Sequence, residues 1–143
     1  MIPDYPPFPT EMRTVSASGG EKNSKEEQAH HIPWQGLKEL YRVATMGSEK
    51  YDDYNFRKGF PWSLSYDAAH RHLNLWWEGE GFYDELVEKT GKWWRIHHLA
   101  NAAWHCLVLL FFEITGRYDQ YDDRPWVGDL KRQIKEALGS QDD

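Results

Sequence analysis

The stretch HHLANAAWHCLVLLFFE, residues 97–113, limits the possible folds of this chain more than any other. It is apolar nearly all round a helix, so it needs neighbours on several sides. It is also shorter than the ~20 residues that cross a bilayer, and it carries Asn101, His105 and Glu113. These features predict a buried central helix, from about Trp93 to Thr115 and ending at Gly116. With 143 residues and 40% hydrophobic content, the chain is one ordinary domain with enough apolar mass to surround it.

Three further helices follow from spacing. Leu37, Leu40, Tyr41 and Ala44 form a stripe after Pro33, predicting a helix over about 34–50. Gly59 and Pro61 break the loop that follows. Ser63 or Ser65 can cap a second helix that runs to about Gly79. Val127, Leu130, Ile134 and Leu138 mark a last amphipathic helix over about 127–138. The segment GFYDELVEKTGK, residues 81–92, reads as a connection with one short helical turn. No strand pattern stands out, so the expected fold is all-α, a four-helix-type bundle over residues 29–139. Residues 1–28 hold PDYPPFP and then SASGGEKNSKEEQ, a composition expected to form a tail without stable structure.

A short connection makes the second and third long helices antiparallel neighbours. The second contains RHLNLWWEGE, residues 71–80, in which His72, Trp76 and Glu80 lie along one face. On the third, His98, Asn101 and His105 do the same. Folding the pair together aligns Glu80 with His98 and His72 with His105, with Asp84 and Glu85 above the joined end. Glu39 on the first helix can reach the same cleft. Convergent carboxylates suit a hard cation such as Mg²⁺, while imidazoles suit Mn²⁺, Zn²⁺ or Fe. A buried polar network whose members satisfy one another accounts for the same spacing equally well. A structural Zn²⁺ site at His72, His98 and His105 lacks the usual ligand spacing.

Composition excludes some partners. The formal charge is −6, which disfavours free nucleic acid, and no membrane partner is expected. The single cysteine, Cys106, cannot form an internal disulfide and is expected to be a buried, inert thiol. Residues 1–30 lack the apolar core of a secretory signal.

The segments RVATMGSEKYDDYNFRKGFPW, AAHRHLNLWWEGEGFYDE and HHLANAAWHCLVLLFFE resemble the phage-associated dATP/dGTP diphosphohydrolase N-terminal family. That family is thought to be related to the all-α, MazG-like nucleotide pyrophosphohydrolases. The matching residues are Gly47, Lys50, Tyr51, Asn55, Lys58, Gly59 and Pro61, then Arg71, His72, Leu73, Trp76, Gly79, Glu80 and Asp84. They continue with His98, Leu99, Ala100, Ala102 and Ala103. Two positions depart from the pattern: Phe56 replaces a Trp, and Asn101 and His105 stand exchanged, one turn apart on the same face. The acid motif of MazG-like enzymes, Glu-Glu-x-x-Glu with a later Glu-x-x-Asp, is absent.

The resemblance implies a metal-dependent hydrolase that converts a purine (deoxy)nucleoside triphosphate to monophosphate and pyrophosphate. Phosphoryl transfer depends mostly on positioning and charge neutralisation. Under it, Glu80 and Asp84, with Glu39, would hold Mg²⁺ or Mn²⁺, and His98 would act as base or ligand. His72, Asn101 and His105 complete the candidate ligand set. Lys50, Asn55, Lys58 and Arg71 would contact the nucleotide, and Trp76 would stack on its base. The resemblance also implies a homodimer or homotetramer, in the cytoplasm of a phage-infected bacterium. The exchanged Asn101 and His105 and the missing acid motif leave open a different class, a non-catalytic phage protein that binds a nucleotide or a host factor.

Overall fold

The computed structural model describes residues 11–139, so the PDYPPFP stretch lies outside the described residues. Four helices appear: α1 (Trp34–Lys50), α2 (Trp62–Trp77), α3 (His98–Thr115) and α4 (Val127–Gly139). Between α2 and α3 stands an antiparallel hairpin of β3 (Phe82–Val87) and β4 (Lys92–His97), with Phe82 opposite His97 and Val87 opposite Lys92. A second hairpin pairs β1 (Met12–Val15) with β2 (Glu21–Ser24). The all-α four-helix bundle is therefore not the fold.

The β3–β4 hairpin accounts for most of the difference. Tyr83, Glu85 and Val87 alternate inward with Phe82, Asp84 and Leu86 outward, the period of two that marks a half-buried strand. Trp94 and Ile96 face the core opposite them, while Trp93 and Arg95 face out. The turn closes with the amides of Thr90 and Gly91 both bonding to the Val87 carbonyl, at 3.2 and 2.9 Å. Gly91 sits at φ +68°, where a side chain would be strained. Helix α3 thus starts at His98, and the apolar run WWRIH before it belongs to a strand. An apolar run adjoining an apolar helix carries no periodicity that separates the two.

Two clusters form the core. One joins Val43 and Met46 of α1 to Val87, Trp94 and Ile96 of the hairpin and Ala100 of α3. The other joins Trp62 of α2 to Val108 and Phe112 of α3 and to Tyr118. Trp104 packs against both. The turn Asn55–Lys58 and Gly59 lead into α2. Gly59 has φ +78°, and a Cβ there would lie 2.5 Å from the Tyr121 ring, so no other residue fits.

Helix α4 does not complete a bundle. Its stripe Leu130, Ile134 and Leu138 stays exposed. The hairpin β1–β2 likewise pairs only within itself among the larger contacts, and every residue of its strands is exposed. Residues 12–24 are thus ordered where composition predicts none, yet they add nothing to the core. Cys106 is exposed rather than buried, because α3 turns Ala103, Cys106, Leu107 and Leu110 outward.

Candidate functional site

Helices α2 and α3 run antiparallel. Trp62 meets Phe112, Ser65 meets His105, and His72 meets His98, so positions rising along one helix fall along the other. Helix α2 stops in a Schellman motif. The Gly79 amide bonds to the Trp76 carbonyl and the Glu80 amide to that of Leu75, both at 3.0 Å, with Gly79 at φ +108°. That stop places Glu80 just past the helix end, beside the start of α3. The other end of α2 is held from 60 residues away: the Asp123 carboxylate accepts from the Ser63 amide at 2.9 Å and from the Ser63 hydroxyl. Neither serine caps the helix as expected; Ser65 is buried and bonds to His105.

A hydrogen-bonded row joins the two helices. Glu80 Oε1 lies 2.9 Å from His98 Nε2, and His98 Nδ1 lies 2.8 Å from His72 Nδ1. His98 is 2% exposed and stacks on Tyr83 at 4.4 Å. Asn101 donates to the Tyr83 hydroxyl at 2.7 Å. His105 Nδ1 meets the Ser65 hydroxyl at 3.1 Å, and its ring lies parallel to that of His72 at 6.2 Å.

In front of this row lies a cavity of about 900 Å³, bounded by α1, the loop after it, α2, β3 and α3. Its walls include the aromatic rings of Tyr51, Tyr54, Phe56, Phe60, Tyr83 and Trp104. Polar groups converge on it from each side: Lys50, Asp52, Asp53 and Asn55, then Ser65, Arg71 and His72, then Glu85, Asn101 and His105. A mostly apolar concavity with a few aimed polar groups is the usual form of a small-molecule site.

The residues expected at the site fall into two groups. Lys50, Asn55, Arg71, His72, Asn101 and His105 line the cavity. Glu80 and His98 stand behind it, linked to it through His72 and Tyr83. Asp84 is on the outer face of β3, opposite Arg95, because alternation turns it away from its neighbour Glu85. Glu39 is 3.9 Å from Arg42 on α1, Lys58 pairs with Asp52 at 2.8 Å, and Trp76 is 40% exposed outside the cavity. Glu85 is the carboxylate that sequence spacing passes over. Only the observed strand Phe82–Val87 turns Glu85 inward with Tyr83 and Val87; the sequence FYDELV has no apolar–polar alternation that would mark it.

Charge within the cavity is arranged unevenly. Glu85 bonds to Lys50 at 2.8 Å, and this bond raises the Lys50 pKa. Arg71 lines the cavity and makes no ion pair among the described residues. Burial, followed by the proximity of His98, His105 and Arg71, pushes His72 down to about 4. Burial and then Arg71 lower His105 as well. The deep wall is therefore neutral near pH 7, and fixed charge sits nearer the Lys50 and Arg71 sides. Among the described residues, no group of three or more His, Cys, Asp or Glu is placed to hold a metal ion.

Fold and site together define a small, mainly helical protein with a β-hairpin between α2 and α3 and an aromatic-walled cavity. The N-terminal family of dATP/dGTP diphosphohydrolases matches residues 16–124, and the chain belongs to that family. No curated protein and no solved structure matches it.

Proposed function

We propose that this chain hydrolyses a purine deoxynucleoside triphosphate to the monophosphate and pyrophosphate. The observation that carries the reading is the cavity, with aromatic walls, a neutral hydrogen-bonding floor and, at its edge, Arg71 with no ion pair among the described residues, in a chain of a family named for dATP and dGTP diphosphohydrolysis. The aromatic residues that line the cavity offer faces on which a purine ring can stack. The triphosphate then lies toward Arg71 and Lys50, whose charge offsets its own. In the reaction a water oxygen bonds to the α-phosphorus as the α–β phosphoanhydride bond breaks, and pyrophosphate leaves.

The donor set fits a cation only in part. Glu85, Asp52, Asp53 and Asn101 supply oxygen ligands around the cavity, but no three-residue cage exists among the described residues. Mg²⁺ commonly takes one or two carboxylates and completes its shell with phosphate oxygens and water. Glu85 is the carboxylate best placed to meet a Mg²⁺ or Mn²⁺ ion arriving on the triphosphate; when bound, that ion would neutralise phosphate charge. Exposed Leu107 and Leu110 of α3 also favour pairing with a second copy of the chain.

A second reading, a binding protein without turnover, is favoured by the exchanged Asn101 and His105 and the missing acid motif. Incubation with dATP or dGTP and Mg²⁺ or Mn²⁺ separates the two. Monophosphate and pyrophosphate in equal amounts support hydrolysis, whereas saturable binding without product supports the second reading.

A further inference from the structure

The row Glu80–His98–His72 has only one arrangement of protons when both rings are neutral. A carboxylate can only accept, so His98 Nε2 donates to Glu80 across 2.9 Å. A neutral imidazole carries one N–H, which leaves His98 Nδ1 a bare acceptor. The contact of 2.8 Å to His72 Nδ1 then requires His72 to donate from Nδ1. His72 Nε2 is left with an unused lone pair. Among the described residues no donor reaches that atom, although the ring lines the cavity. His98 is 2% exposed and packed against the Tyr83 and His72 rings, where an unscreened charge is costly. Glu80 is half exposed, so water screens what it offers to a cation.

We propose that Glu80 and His98 are positioning residues: they lock His72 in its Nδ1–H tautomer and so present the Nε2 lone pair to the cavity as an acceptor for a hydrogen-bond donor on the bound ligand. The arrangement follows the general pattern in which the proton on one imidazole nitrogen is set by the partner of the other. It gives Glu80, outside the cavity, an effect on a ligand inside it. The identification of the ligand as a purine nucleotide rests on the function proposed above; the tautomer does not.

The test is long-range ¹H–¹⁵N correlation of the histidine rings at pH 7, on the full chain, free and with dGTP. The expected result is His98 protonated at Nε2 and His72 protonated at Nδ1 alone, with the His72 Nε2 resonance shifting on addition of dGTP. Two variants at half-exposed Glu80 complete it. Glu80→Gln keeps an acceptor oxygen and should retain the His72 tautomer. Glu80→Met removes it and should convert much of His72 to the Nε2–H form, with at least a tenfold weaker apparent affinity for dGTP at unchanged melting temperature. A wild-type His72 protonated at Nε2, as an imidazolium at His98 would impose, overturns the proposal. So does a tautomer that Glu80→Met leaves unchanged. If dGTP fails to bind while the tautomers behave as stated, the nucleotide reading falls and the positioning row stands.

Discussion

Acidification from pH 6.5 to 4.5 should destabilise the fold through His72. In the unfolded chain this imidazole titrates at its ordinary 6.5, whereas in the folded chain burial, followed by the proximity of His98, His105 and Arg71, holds it at about 4. Between those values the unfolded state binds a proton that the native state refuses. Stability is therefore unaffected above the unfolded value, falls as pH drops through the window, and levels off below the folded value. A shift of that size is worth about 3.5 kcal/mol across the whole window at about 1.4 kcal/mol per unit. The ring is partly exposed, and solvent screening reduces the loss to about 1 kcal/mol between pH 6.5 and 4.5. His105, also depressed, adds a loss of the same sign. Depressed carboxylates at Asp52, Asp122 and Asp123 act below 3.8, outside this range. Urea unfolding at the two pH values reads the difference directly. His72→Asn, which removes the titrating ring, should flatten the slope. Equal or greater stability at pH 4.5, or an unchanged slope in the variant, refutes the reasoning.

Two further outcomes follow from single residues. Gly59→Ala places a methyl in contact with the Tyr121 and Tyr118 rings at a positive φ, so urea unfolding should show a loss of about 2 kcal/mol or more. Arg71→Met removes a cavity cation that has no ion-pair partner among the described residues, so thermal stability should hold while kcat/KM for dGTP falls roughly 10- to 100-fold, the worth of a charge-assisted hydrogen bond; an unchanged value would move the phosphates elsewhere.

The legible parts of the sequence are those where periodicity and local chemistry agree. Leu37, Leu40, Tyr41 and Ala44 mark α1, expected over about 34–50 and found at Trp34–Lys50. Gly79 ends α2 within two residues of its expected limit, because a Schellman turn is a local event. Helical spacing sets Glu80 beside His98, and the two bond; His72, expected opposite His105, bonds to His98 instead and lies 6.2 Å from the His105 ring. The hairpin is less legible, since Trp93, Trp94 and Ile96 run straight into an apolar helix, and FYDELV groups its apolar residues in pairs although burial alternates along both strands. Misreading that segment by one conformation exchanges Asp84 for Glu85 at the cavity, because neighbouring strand residues face opposite ways. The stripe on α4 correctly marks a helix but not its neighbour, since amphipathicity says that a face seeks cover and not where cover lies. The cap of α2 by Asp123 was beyond any local pattern, being set by residues 60 positions apart.

The most direct test of the functional account is the product pattern. Purified full-length chain should be incubated with dGTP or dATP and Mg²⁺ or Mn²⁺, and the mixture resolved by anion-exchange chromatography. The account predicts deoxynucleoside monophosphate and pyrophosphate accumulating one to one, with turnover strongly reduced in Arg71→Met. Release of orthophosphate with the diphosphate, release of intact triphosphate, or no product from either nucleotide with either ion would contradict it.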